Sequence, residues 1–236
     1  MTGQPLAGAV ALVAGASGGI GRAVALALAR AGAARLLLLG RDHARLARVA
    51  VEVSEAGALA DAHAMDFEQA VAPDLPDRLH LLVHAAGAYE AAPVADTDVN
   101  GADRLWRVNA RAPLLLTRAA LPALEAAGGD VVFLNSTRGL ASGRNAAAYA
   151  ASKHALRAVA DSVRAEVGPR GIRVLSIYLG RTDTPMQRAL LAAEGRTAEP
   201  DKLLRPEDVA AMLLAAVTLP RNAEVTELSI RPSRPY

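Results

Sequence analysis

Cysteine is absent from the 236-residue chain. Without thiols there is neither a disulfide framework nor a thiolate metal site, a composition that fits a reducing compartment, and no metal is expected. Aromatic residues make up 3% of the chain, with Trp106 as the single tryptophan. So little stacking surface, together with arginines dispersed instead of clustered, argues against a nucleic-acid partner. The formal net charge is only +2, which implies no polyanion either. Long hydrophobic runs are missing too: none reaches the ~20 residues that a bilayer-spanning helix needs. The uncharged opening stretch, which ends at Arg22, lacks the basic start of a secretory signal, and its glycines fall where a strand would turn into a helix, so it reads as a buried strand. These absences predict a cytoplasmic protein with no membrane partner. Lysine is the last scarcity, since Lys153 and Lys202 are the only two in a chain that otherwise relies on arginine.

What is present is alternation. Short, mostly apolar runs recur at 9–14, 35–39, 79–85, 131–135, 174–178 and 225–230, as suits strands buried on both faces of a parallel sheet. Between them, 20–31, 44–56, 101–127, 149–167 and 206–218 are rich in Ala, Leu and Arg, as helices prefer. A weaker strand is expected just before Asp66. This order predicts an α/β fold of one domain, an open doubly wound and mostly parallel sheet whose ligands bind at the carboxyl ends of its strands. The stretch 181–204 has no clear assignment and follows a strand's carboxyl end, which makes it a candidate lid.

The first strand runs into Gly15, Ala16, Ser17, Gly18, Gly19, Ile20 and Gly21, and an apolar helix follows. Glycines at such a junction permit a tight turn, close approach of backbone to a pyrophosphate and close packing of helix on sheet, with the helix N-terminus facing the anion. Ser17 could donate a further hydrogen bond to the 2′-phosphate of an NADP. At the end of the second strand, where an acidic residue would bind a ribose 2′-hydroxyl, the chain has Gly40 and Arg41. Arg41 suits a 2′-phosphate, which favours NADP over NAD, whereas Asp42 beside it suits a helix cap. Asp66 could accept from an adenine amino group or cap a helix.

The segment "YAASK" sets Tyr149 and Lys153 one helical turn apart on one face. A nearby ammonium favours a phenolate and so lowers a tyrosine pKa from its usual ~10 toward a working pH. Lysine supplies a compact charge on a flexible stem, where arginine would bring a planar fork.

Taken together, the glycine turn, "HAAG" at 84–87, Asn109 in "RVNARAP", Ser136 in "LNSTRG", Tyr149 with Lys153, and "LGRTDTP" at 179–185 resemble the motifs of the short-chain dehydrogenase/reductase family along nearly the whole chain. The resemblance implies a three-layer Rossmann fold around a seven-stranded sheet and an NADP(H)-dependent oxidoreductase of ketones, aldehydes or alcohols. It implies that Tyr149 exchanges a proton with the substrate oxygen, that Ser136 positions that oxygen, that Lys153 lowers the tyrosine pKa and binds the nicotinamide ribose, and that Asn109 holds a water in a proton relay. It further implies cofactor contacts at Gly15, Ser17, Gly19, Ile20, Gly21, Arg41, Asp66, Ala86, Gly87, Thr182 and Thr184. A homodimer or homotetramer through helices 101–127 and 149–167 is also implied.

Three positions depart from the family pattern. Ala14 replaces a threonine, His84 an asparagine and Leu179 a proline, which leaves His84 either linking strands or reaching toward the cofactor. Arg138, two residues after Ser136, either reads a substrate carboxylate or phosphate, or faces solvent or a subunit contact. Tyr89 and the 186–191 stretch are further candidates for the pocket wall. The alternative to an enzyme is a non-catalytic NADP(H)-binding sensor or scaffold, which would need the glycine turn and Arg41 but no proton donor.

Overall fold

In the computed structural model, which describes residues 4–234, the central apolar runs are strands with a helical layer on each side. The chain forms β1 (Val10–Ala14), α1 (Gly19–Arg30), β2 (Arg35–Gly40), α2 (His43–Glu55), β3 (Leu59–Ala64), β4 (Leu81–His84), α3 (Val99–Trp106), α4 (Ala112–Ala127), β5 (Asp130–Ser136), α5 (Ala147–Val167), β6 (Arg173–Leu179), α6 (Pro185–Ala193), α7 (Pro206–Val217) and β7 (Glu227–Ile230). The seven strands lie in the order β3-β2-β1-β4-β5-β6-β7, and every pairing is parallel. This is the doubly wound Rossmann-like sheet that the alternation predicts.

Successive residues of a strand face opposite layers, and both layers are apolar. Val13 belongs to a core shared with α1, α2 and α7, whereas its neighbour Leu12 belongs to one shared with α3, α4 and α5. Each such fully buried side chain contributes roughly 1.5–3 kcal/mol. Edge strand β3 (LADAHA) carries polar residues and is buried at none of its positions, which is why its apolar signal is weak.

Two expectations change. The 101–127 helix begins earlier, at Val99, where Asp98 caps it by accepting from Gly101 N–H at 2.8 Å, and a π-helical turn at Arg107–Arg111 divides it into α3 and α4. The extra residue of that turn lets Val108, Asn109 and Ala110 all be buried. The 181–204 stretch is not structureless but contains α6, capped by Thr184 and started by Pro185. No helix among the described residues is long and apolar enough to cross a membrane.

The register aligns the strand ends that matter. Ala14 lies level with Leu39 of β2 and His84 of β4, and Ser136 of β5 lies level with Leu179 of β6. The chain leaves β1 toward β2 on one side and β4 toward β5 on the other, and the crevice at that reversal is where such sheets take ligands.

Candidate active site

A cleft of about 1060 Å³ opens there, floored by the ends of the central strands and bounded by the glycine turn, the segment after β5, the start of α5 and α6.

Its β1–β2 end is built from close backbone contacts. Gly15 and Ala16 N–H both donate to Leu39 O, at 2.8 and 2.9 Å, tying the glycine turn to β2. Gly15 has φ +88°, and a Cβ there would overlap the Ala86 backbone; one at Gly21 would overlap the Gly15 carbonyl. A Cβ at Gly18, by contrast, would meet nothing within 4 Å, so backbone at the start of α1 can be approached closely. No side chain caps α1, and its first turn has no acidic residue, which leaves its N–H groups and positive dipole end for an anion. At the end of β2, Ser17 Cβ and Oγ lie 3.2 Å from where a Gly40 Cβ would sit. Asp42 caps α2, accepting from Arg45 N–H at 3.0 Å, and pairs with the Arg45 guanidinium at 3.1 Å. Arg41 lines the cleft with no side-chain partner among the described residues. Asp42 is thus the cap, and Arg41 stands exposed beside the cleft. These features fit a dinucleotide with an extra phosphate.

The β4–β5 end brings together Ser136, Tyr149 and Lys153, all lining the cleft. Ser136 Oγ accepts from Arg138 N–H at 3.1 Å. Lys153 is buried, its Nζ donating to Leu134 O at 3.3 Å, while its own carbonyl accepts from Asn135 Nδ2 at 3.1 Å. Burial lowers the lysine pKa to about 8. The Tyr149 ring meets Tyr89 at 4.5 Å between centroids, tilted by 58°. The expected depression of the Tyr149 pKa is not found. Burial pushes the phenol above its ordinary 10, Tyr89 adds to the rise, and Ser136 and Arg138 offset part of it. Desolvation outweighs the neighbouring charges, and Lys153 is not prominent among them.

Asn109 is fully buried and does not line the cleft. Its Oδ1 accepts from Ala88 N–H at 2.8 Å, and its Nδ2 donates to Ala88 O and to Ser152 Oγ, both at 2.9 Å. The side chain thus fastens the segment after β4 to α5. His84 takes the structural alternative: its Nε2 is 2.8 Å from Thr117 Oγ1, its ring stacks on Phe133 at 4.8 Å, and burial lowers its pKa to about 3. Asp66 is exposed and does not line the cleft; its Oδ1 accepts from Glu68 N–H at 2.9 Å. Ala86 and Gly87 line it, as do Ile20, Thr182 and Thr184.

Around α6, Thr182 Oγ1 donates to Gly180 O at 3.1 Å, and Thr184 Oγ1 accepts from Gln187 N–H at 3.2 Å. Thr184 Cγ2 would lie 3.1 Å from a Cβ on Gly19, so the base of α6 abuts the glycine turn. A bridge between Thr182 and Leu204 closes the segment's two ends on each other. Sequence reasoning missed Arg45 and Arg144, which also line the cleft, whereas Gln187 lies in the 186–191 stretch expected at the pocket wall and lines it too. Gln187 Nε2 is the one buried side-chain polar atom without a partner among the described residues, an open donor at the cleft wall. Nothing in the sequence around Arg45 and Arg144 could have selected them, because their position depends on the path of α2 and of the loop before α5.

Residues 9–195 match the family model described as short chain dehydrogenase. A short-chain type dehydrogenase/reductase of Sinorhizobium fredii is 33% identical over 229 residues, covering 95% of this chain and 91% of its own. Among solved structures, an alcohol dehydrogenase from the archaeon Thermococcus sibiricus, complexed with 5-hydroxy-NADP, superposes with a TM-score of 0.85 at 25% identity, over 97% of this chain and 99% of its own. A metagenomic short-chain oxidoreductase in complex with NADP superposes with a TM-score of 0.80 at 29% identity, over 98% and 99%.

Proposed function

The chain belongs to the short-chain dehydrogenase/reductase family, and on that premise we propose that it is an NADP(H)-dependent oxidoreductase interconverting a ketone or aldehyde and an alcohol. The observation that carries the proposal is the convergence of Ser136, Tyr149 and Lys153 on a cleft that also has a glycine cradle and a free arginine at the end of β2. The 5-hydroxy-NADP and the NADP in two structural relatives support the cofactor.

The bound nucleotide supplies the hydride. Gly15, Gly19, Ile20 and Gly21 hold its pyrophosphate at the start of α1, Ser17 and Arg41 hold the 2′-phosphate, and Ala86, Gly87, Thr182 and Thr184 line the nicotinamide half. Asp66 would reach the adenine amino group only with the oxygen that its local turn leaves free. In the reducing direction the Tyr149 O–H gives its proton to the carbonyl oxygen, which becomes the alcohol oxygen, and the phenolate is reprotonated from solvent. Ser136 Oγ hydrogen-bonds the same oxygen and fixes its distance from the phenol. Lys153 holds the nicotinamide ribose and, as an ammonium, steadies the phenolate formed in the step. Asn109 acts as a positioning residue, keeping the segment after β4 in place beside the relay path. Residues 181–204, pinned at Thr182 and Leu204, form the lid. The enzyme works in the cytoplasm as a homodimer or homotetramer.

The test is NADPH oxidation against a panel of ketones, aldehydes and diketones, with Tyr149→Phe beside the wild type. Loss of a positioned general acid is expected to lower kcat by about 10²–10⁴, with the NADPH Kd changed less than about threefold. If the wild type binds NADPH and turns over nothing, while Tyr149→Phe matches it in every respect, the proton-donor role fails and a binding function takes its place.

A further inference from the structure

Seven cationic side chains line the cleft against two carboxylates, in a chain whose whole net charge is +2. Clefts that gather one sign of charge focus the field on whatever enters. Both lining carboxylates are already engaged, Asp42 by Arg45 and Glu194 by Arg181. Arg104 is paired with Glu68 and Glu90 outside the lining. Arg41 is accounted for at the β2 end and Lys153 at the chemical centre. That leaves Arg138 and Arg144, neither of which has a side-chain partner among the described residues.

An exposed arginine needs no partner, so exposure alone decides nothing; placement does. Arg138 follows Ser136 by two residues, in the turn Thr137–Gly139. Its guanidinium lies against Gly143, so closely that a Cβ there would overlap it. Its charge reaches the site, since it acts to lower both Tyr149 and Tyr89. Arg144 projects from the same loop, which is fastened across the cleft mouth by Ala92 N–H donating to Asn145 O at 3.0 Å. The phosphates of a nucleotide do not account for this pair: β5, which leads into Arg138, is two strand spacings from β1, whose glycine turn would hold the pyrophosphate, and three from β2, where the 2′-phosphate would lie, roughly 9 and 14 Å.

We propose that the substrate is a small carbonyl compound bearing an oxyanion group, a carboxylate or a phosphate, which Arg138 and Arg144 hold while its carbonyl lies at Ser136 and Tyr149. A guanidinium pairs with either oxyanion through two parallel hydrogen bonds. The proposal rests on the reading of the chain as a reductase.

The experiment begins with NADPH binding by fluorescence, whose absence overturns that reading and this proposal together. The NADPH-loaded enzyme is then assayed with short oxo-acids beside their methyl esters, and with dihydroxyacetone phosphate beside dihydroxyacetone. Expected is a kcat/KM about tenfold or more higher for the anionic member of a pair, carboxylate and phosphate pairs showing which oxyanion is preferred. In Arg138→Gln and Arg144→Gln the anion-to-neutral ratio falls about tenfold, in Arg138→Lys it falls less, and in the control Arg48→Gln, on the outer face of α2, it holds. The ratio corrects for any change in the nearby phenol, which would slow both members alike. Neutral substrates used as well as anionic ones, or a preference that survives both glutamine variants, overturns the proposal. Where NADPH binds but nothing turns over, calorimetric titration of the loaded protein with the same anions decides. Binding that Arg138→Gln and Arg144→Gln abolish upholds the oxyanion site, and no binding at millimolar concentration sinks it.

Discussion

Burial does opposite things to the two titratable residues at the chemical centre. For Tyr149 it disfavours the phenolate, so the side chain stays protonated across neutral pH and is ready to give its proton in the reducing direction. For Lys153 it disfavours the ammonium, lowering the pKa from 10.5 to about 8. That shift carries a stability cost with a definite pH signature. Below pH 8 both folded and unfolded chains hold the proton, and the whole cost of burying the charge is present. Between pH 8 and 10.5 the unfolded chain still holds a proton that the folded chain has released, so this contribution to stability improves as pH rises. A lysine kept at such a site is kept for function. Lys153→Met is therefore expected to raise the Tm of the nucleotide-free protein at pH 7 by several degrees, with the gain shrinking toward pH 10, while NADPH affinity falls. Thermal scans at pH 7 and pH 10 check this; a variant destabilised equally at both would show that packing around the aliphatic stem dominates instead.

At the scale of elements, what the sequence made legible was what depends on near neighbours in the chain. Strands β1, β2, β4, β5 and β6 are buried from both sides, so their residues are mostly apolar, and the glycine turn is dictated locally, because a Cβ at Gly21 would overlap the Gly15 carbonyl. The edge strand β3 faces one neighbour only, and Asp61 and His63 on its outer face break the apolar run. The π-helical turn at Arg107–Arg111 escaped because its residues are ordinary helix formers; what imposes it is the burial of Asn109 between Ala88 and Ser152, contacts 21 and 43 residues distant. The same distinction applies at the site, where Ser136, Tyr149 and Lys153 were recognisable by type and spacing, and Arg144 was not. The β2–α2 corner yields its own prediction. Asp42 is committed to the cap and to Arg45, which leaves Arg41 as the uncommitted cation at that position. Arg41→Ala is expected to weaken NADPH by about tenfold or more, the loss of a charge-assisted contact of about 1.5–3 kcal/mol, and to leave NADH within about twofold. Parallel titrations with the two nucleotides decide it, and equal losses for both would remove Arg41 from 2′-phosphate recognition.

At the scale of the whole molecule, the outer faces of α3, α4 and α5 are less polar than an exposed surface needs to be. Val99, Trp106 and Leu114 are 73%, 48% and 43% exposed along α3 and α4, and the exposed face of α5 carries Ala151, Ala158 and Ser162. Small side chains on one helix allow a second backbone to come close, and apolar ones beside them supply area to bury. These helices flank the cleft from below: α5 starts at its wall with Tyr149 and Lys153, so a partner seated along α5 would stiffen the catalytic turn without entering the cleft. The expected assembly is a dimer or tetramer at micromolar concentration, measured by light scattering. Leu114→Glu, whose side chain points away from the core, is expected to shift the particle toward the monomer with its circular dichroism unchanged, and to lower kcat with little change in NADPH Kd, because α5 loses its support. A wild type that is monomeric at those concentrations would mean that this face meets solvent and that the catalytic helix is rigid enough by itself.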